Sequence, residues 1–186
     1  EYPLVDGALS QVCYYQALED VYGRFVEKMG GDYTAETPDY WIFHAPYNKL
    51  VQKSYARLFL CDARRAAEST AEEKKQETLE QDWLTKPIEE TYNDRALEGQ
   101  LNKLSADSFK QRLVDANSAS RLVGNTYTAS VFLGLASLID RVGGRGELTP
   151  GKSIVLFSYG SGALATIYRL QVYVYFLFLF HVRIAS

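Results

Sequence analysis

Two short, unbroken apolar runs, Tyr40–Phe43 and Ile154–Phe157, constrain what this chain can fold into more than any other feature. Both are bounded by loop formers. Gly30, Gly31 and Pro38 precede the first; Gly146, Pro150 and Gly151 precede the second, and Gly160 and Gly162 follow it. Runs of this length between such breakers read as buried strands. The stretches around them have helical spacing instead. Leu9, Val12, Cys13, Ala17, Val21, Phe25 and Met29 make an amphipathic stripe over roughly 8–29. Pro46 is placed to open a helix whose face carries Tyr47, Leu50, Val51, Ser54 and Leu58. Helical spacing returns at Leu101, Leu104, Phe109 and Leu113, and again over roughly 127–140. Residues 163–172 read as a strand returning from the Gly160–Gly162 turn. Strands alternating with helices predict an α/β layered fold.

With 186 residues, of which 47% are apolar, the chain suits one domain or half of a larger one with a packed core. The net charge of −3 sets nucleic-acid binding aside. Cys13 and Cys61 have neither metal-ligand spacing nor a disulfide framework, which fits a reducing, cytosolic setting. Cys13 falls inside the first helical stripe and reads as a small core residue. Residues 61–100 change character, with seventeen of forty charged. That run reads as a solvated helical surface or a variable insertion. The chain begins at Glu1 without Met and shows no signal peptide, so it reads as a piece cut from a longer protein. Val172 to Val182 is almost unbroken apolar and aromatic sequence, too short to span a bilayer as a helix; it is open to a buried strand, and Tyr173 to Phe180 is an aggregation hazard if exposed.

Three segments have the residue types for chemistry. In FHAPYNKLVQKS, residues 43–54, His44 ends a strand just before a helix, where open α/β sheets place ligand-binding groups. An imidazole there can donate to a carbonyl or accept a proton near neutral pH. Lys49 and Lys53, four apart, share a helix face and suit an anionic ligand, although a lysine pair is also an ordinary solvated face. In GNTYTAS, residues 124–130, Asn125 either caps the following helix or donates its amide to an oxyanion. In VLFSYGSGALAT, residues 155–166, a strand enters a glycine turn that lets backbone amides approach a ligand. Ser161 is either a substrate contact or a turn residue. Its glycine spacing differs from the serine-hydrolase elbow. His181 lies in the apolar tail and carries no role.

The order and spacing of these segments resemble the C-terminal half of thiolase-like condensing enzymes, and most closely the hydroxymethylglutaryl-CoA synthase family. YPLVDGALSQVCY, residues 2–14, and ETYNDR, residues 90–95, resemble that family too, so the likeness covers roughly 1–171. It implies half of a five-layer αβαβα fold with 61–100 as a charged insertion, and an atypical tail at 172–186 that reads as a frame or splice artefact. It implies a reaction joining acetyl-CoA to acetoacetyl-CoA and water to give 3-hydroxy-3-methylglutaryl-CoA and free coenzyme A, a step toward isoprenoids and sterols. By the resemblance, His44 is the catalytic histidine that polarises the acetoacetyl carbonyl. Lys49 and Lys53 hold coenzyme A, Asn125 lies beside the acyl site, and Ser161, ahead of Ser158, contacts the acyl-CoA. The family's nucleophilic cysteine and general-base glutamate belong to the other half, so this chain is expected to be inactive alone. Coenzyme A thioesters are substrates, and no metal or redox cofactor is implied. The parent is expected to be a cytoplasmic homodimer, with a mitochondrial isoform open. The alternatives are a fragment of an acetyl-CoA-using ketoacyl-carrier-protein synthase and a non-catalytic truncated paralogue that binds acyl-CoA or a partner.

Overall fold

Asp6 starts the first helix: its carboxylate accepts a 2.9 Å hydrogen bond from the Leu9 amide and caps α1 (Gly7–Lys28). In this computed structural model residues 6–69, 79–160 and 162–173 are described. Among them α1 is followed by β1 (Tyr40–Phe43), α2 (Asn48–Ser69), the short α3 (Gln81–Thr85), α4 (Arg95–Arg112), α5 (Val114–Val123), α6 (Ser130–Leu138), β2 (Ser153–Gly160) and β3 (Leu164–Gln171). Asp94 caps α4 through the Ala96 and Leu97 amides. The chain is therefore mixed α/β, and both apolar runs are strands.

The sheet order is β1-β2-β3. β1 pairs parallel to β2, with Phe43 opposite Phe157, and β2 pairs antiparallel to β3. Alternation along the strands divides the core. Trp41, Phe43, Val155 and Phe157 face α1 and α2, while Ile42, Ile154 and Leu156 face α5 and α6. Helices on both faces bury the side chains of such runs, all but the half-buried Tyr40, which is why they read as continuous rather than alternating. The described residues thus form three layers. No helix among them is long and apolar enough to cross a membrane. Val172 is buried in the second core and exchanges backbone bonds with Lys152 and Gly151, at 2.9 and 2.8 Å. The rest of the apolar tail, from 174 onward and including His181, lies outside the described residues.

Two expectations need correcting. The buried face of α1 is Tyr14, Tyr15, Leu18, Tyr22, Phe25 and Val26, not the aliphatic stripe; Leu9 is exposed and Val12, Cys13 and Val21 are half-buried. The tyrosines go inside because each hydroxyl finds a partner, as Tyr22 does with Asp62 at 2.8 Å. The charged stretch is also more than a solvated surface. Trp83, Leu97 and Leu101 pack with Ala56 and Leu60 of α2 in a third core. Residues 70–78 lie outside the described residues.

Gly134 on α6 sets the spacing of the second helical layer. A Cβ there would lie 2.6 Å from Ile42 Cγ2. Gly134→Ala is expected to push α6 off β1 and cost about 1–3 kcal/mol. A denaturant midpoint equal to that of the unsubstituted chain would refute this.

Candidate functional site

Because β1 and β2 are parallel, their carboxyl ends open on the same side, and His44 stands there. Its amide donates to the Phe157 carbonyl at 2.8 Å, extending the β1–β2 ladder by one residue. Its carbonyl accepts from the buried Tyr14 hydroxyl at 2.7 Å. With the backbone held on both sides, the half-buried imidazole lies beside Tyr159, with ring centroids 6.4 Å apart. Tyr159 packs in turn against Tyr14, at 4.8 Å. Burial pulls the His44 pKa below its usual value, so the ring is neutral at pH 7. A neutral imidazole can donate a hydrogen bond from one nitrogen and accept one, or a proton, at the other.

The next residue brings in the second motif. The Ala45 amide donates to Ser130 Oγ at 2.9 Å, fixing the start of α6 against the end of β1. The strand end carrying His44 therefore meets the VLFSYG segment through Phe157 and the GNTYTAS segment through Ser130. Asn125 itself is exposed. Its Oδ1 accepts from the Tyr127 amide at 2.8 Å, a local turn bond, which leaves the amide nitrogen as its donor. Gly124 and Tyr127 both have positive φ, at 79° and 51°, so the turn is held in the left-handed region. Ser158 is partly buried on β2; Ser161 lies outside the described residues.

The two lysines differ in environment. Lys49 is exposed on the first turn of α2. Lys53 is partly buried, and its Nζ lies 3.0 Å from Glu98 Oε2 on α4. It stands at the mouth of a cavity of about 10 Å³ lined also by Tyr15, Arg57, Thr91 and Tyr92. That volume has room for a single water molecule.

Sequence reasoning missed the group behind this mouth. Arg57 is buried on α2, its guanidinium between the rings of Tyr15 and Tyr92, at 5.2 and 4.7 Å. Its Nε donates to Glu19 Oε1 at 2.6 Å and its Nη2 to Thr91 Oγ1 at 3.0 Å. The Tyr92 hydroxyl donates to Glu19 Oε2 at 2.8 Å. Thr91 and Tyr92 belong to the ETYNDR segment, the one signal that pointed here.

Neither cysteine is placed like a nucleophile. Cys61 sits within α2, and burial of its thiol, with Glu19 and Asp62 nearby, pushes its pKa up. A raised pKa keeps the sulfur protonated. Cys13 is half-buried on α1. Around Asn125 the surface is apolar: Leu122, Val123, Tyr127 and Phe132 are exposed, Leu122 by 87%.

The fold is that of the C-terminal part of hydroxymethylglutaryl-CoA synthase structures. MvaS in complex with 3-hydroxy-3-methylglutaryl coenzyme A superposes with a TM-score of 0.64 at 29% identity, over 91% of this chain and 37% of that one. The curacin-pathway HMG synthase in complex with acetyl donor-ACP gives 0.56 at 26% identity, over 90% and 32%. The family model for the hydroxymethylglutaryl-coenzyme A synthase C terminal matches residues 1–175, and the chain belongs to that family. The cytoplasmic synthase of Rattus norvegicus is 39% identical over 181 residues, and synthase A of Dictyostelium discoideum 35% over 176. Each alignment takes in 92% of this chain, which spans about a third of the relatives' own length (34% and 35%).

Proposed function

We propose that this chain provides the acceptor side of a hydroxymethylglutaryl-CoA synthase site. It would hold acetoacetyl-CoA while a thioester-bound acetyl group, carried by a cysteine elsewhere in the synthase, attacks the acetoacetyl carbonyl. The observation that carries this reading is the placement of His44, held by its backbone at the carboxyl end of β1 where three motif segments converge. In this reading His44 donates a hydrogen bond to the ketone oxygen as negative charge develops on it. The Asn125 amide nitrogen, left over from its turn bond, serves as a second donor to the acyl group. Ser161 contacts the acyl-CoA. Lys49 and Lys53 meet the phosphates of coenzyme A, as compact cations suited to that charge. The cysteine and the general-base glutamate come from the remainder of the synthase, because neither Cys13 nor Cys61 is placed to act.

The exposed Leu122, Val123, Tyr127 and Phe132 fit this assignment. A patch of this kind calls for cover, and the remainder of the synthase would supply it, completing a five-layer fold and a homodimer. Cytosolic localisation follows the naming of the rat relative. The presence of donor-ACP in the curacin enzyme's complex favours a second reading, in which the acyl group arrives on a carrier protein. The two readings separate by ligand. Titrating the chain with acetoacetyl-CoA in a calorimeter is expected to give saturable binding that Lys49→Ala weakens. Binding unchanged by Lys49→Ala would remove that lysine from the site. A carrier-bound acetoacetyl group that binds while the coenzyme A thioester does not would select the second reading.

A further inference from the structure

The two lysines assigned to coenzyme A are not in the same state, and the difference lies in Glu98. Lys49 is exposed, with no ion pair among the described residues. Lys53 is held by Glu98 at 3.0 Å, with side-chain exposures of 27% and 39%. The mouth of the cavity is charge-balanced. Arg57 is committed to Glu19, Lys53 to Glu98, and burial keeps Tyr15 and Tyr92 protonated. An anion arriving there meets no net positive charge until one carboxylate lets go. Glu19 cannot do so cheaply, because its side chain is only 12% exposed and is bonded by both Arg57 and Tyr92. Glu98 can, because it is half-exposed on the first turn of α4 and water can take over its solvation.

We infer that Glu98 is a specificity-determining residue of the coenzyme A site. It competes with the ligand's phosphate for Lys53, so that binding is an exchange of one anion for another. The inference rests on the reading of Lys53 as a coenzyme A contact. A weakly charged or small anion cannot outcompete a carboxylate that is already in place. A multiply charged phosphate can, since a charge-assisted bond to phosphate outweighs a half-exposed carboxylate pair. Lys53 is thereby reserved for ligands with concentrated negative charge, while Lys49 remains open to any anion.

The test is coenzyme A titration of the 186-residue chain and four variants, each checked for a native-like circular dichroism spectrum. Glu98→Gln is expected to tighten binding about two- to fivefold, the size of a surface ion pair. Lys53→Ala is expected to weaken it about tenfold, and Glu98→Gln added to Lys53→Ala is expected to change nothing further. Asp107→Asn, which removes an acid elsewhere on α4, is expected to leave affinity as it was. A tightening that persists without Lys53, or that Asp107→Asn reproduces, would show a bulk charge effect and overturn the inference. Weakening by Lys53→Ala with no effect of Glu98→Gln would overturn the inference while leaving Lys53 in the site. No effect of Lys53→Ala, or no binding by the unsubstituted chain, would overturn the reading beneath it. Where Lys53→Ala fails to fold, Lys53→Gln takes its place.

Discussion

Arg57→Ala is expected to cost about 3–5 kcal/mol of folding stability, more than any other single substitution discussed for this chain. The guanidinium is buried and joins three separated stretches of sequence: Glu19 on α1, Arg57 itself on α2, and Thr91 with Tyr92 in the ETYNDR segment. Removing it leaves the largely shielded Glu19 carboxylate with only the Tyr92 hydroxyl for a partner. It also empties the space between two aromatic rings. Most of the penalty is the stranded charge, not the lost attraction. The double variant Arg57→Met, Glu19→Leu is therefore expected to be more stable than Arg57→Ala alone, because no unpaired charge remains. Guanidinium melts of both proteins would check this. A single-variant loss below about 1 kcal/mol, or a double variant worse than the single, would mean that the pair is solvated rather than buried. Damage at Arg57 would also spread toward His44. Tyr15 stacks on the guanidinium, and the residue before it, Tyr14, holds the His44 carbonyl.

The parts of this fold that were legible in the sequence are those where one physical effect dominates. β1 and the Ile154–Phe157 run of β2 are covered on both faces, so every position in those runs is apolar or aromatic and the run length marks them. The place of His44 at a strand end was legible for the same reason. The face of α1 was not, because a tyrosine counts as polar until its hydroxyl partner is known. Two of those partners lie far off in sequence, thirty residues for Tyr14 and forty for Tyr22, while Tyr15 uses Gln11, four residues back. The Arg57 cluster was hidden twice over. A lone arginine on a helix is ordinarily solvated, and its partners stand 38 and 34 residues away. Asn125 shows the opposite limit. The sequence offered a helix cap or an oxyanion donor, but the helical turns that follow, at Tyr127–Ala129 and Ser130–Leu138, take no side-chain cap, and the Asn125 oxygen is used instead in a local turn bond to Tyr127, which leaves the amide nitrogen as its donor.

The second large effect belongs to His44. In a synthase assembled from this chain and the remaining portion of a relative such as the rat enzyme, His44→Ala is expected to lower the condensation rate about 10²–10³-fold, the contribution of one positioned hydrogen-bond donor to a developing oxyanion. The structure makes this a clean test. Both backbone bonds of His44, to the Phe157 carbonyl and from the Tyr14 hydroxyl, survive the substitution. The imidazole makes no hydrogen bond to a described side chain, so the fold has little to lose when it goes. The pH dependence follows from the direction of the shift. Burial holds the folded pKa below the unfolded value of about 6.5. The unfolded chain therefore binds the extra proton first as pH falls. Stability linked to this group is complete above about pH 6.5 and is lost as pH drops through the folded pKa. That acid-side loss of stability is accordingly expected below about pH 6.5 and to be missing from melts of His44→Ala, whereas the donor role itself survives protonation, because an imidazolium donates as well. Turnover of acetoacetyl-CoA undiminished in that variant would remove His44 from the reaction. A raised KM with kcat unchanged in that variant would leave His44 only a binding role.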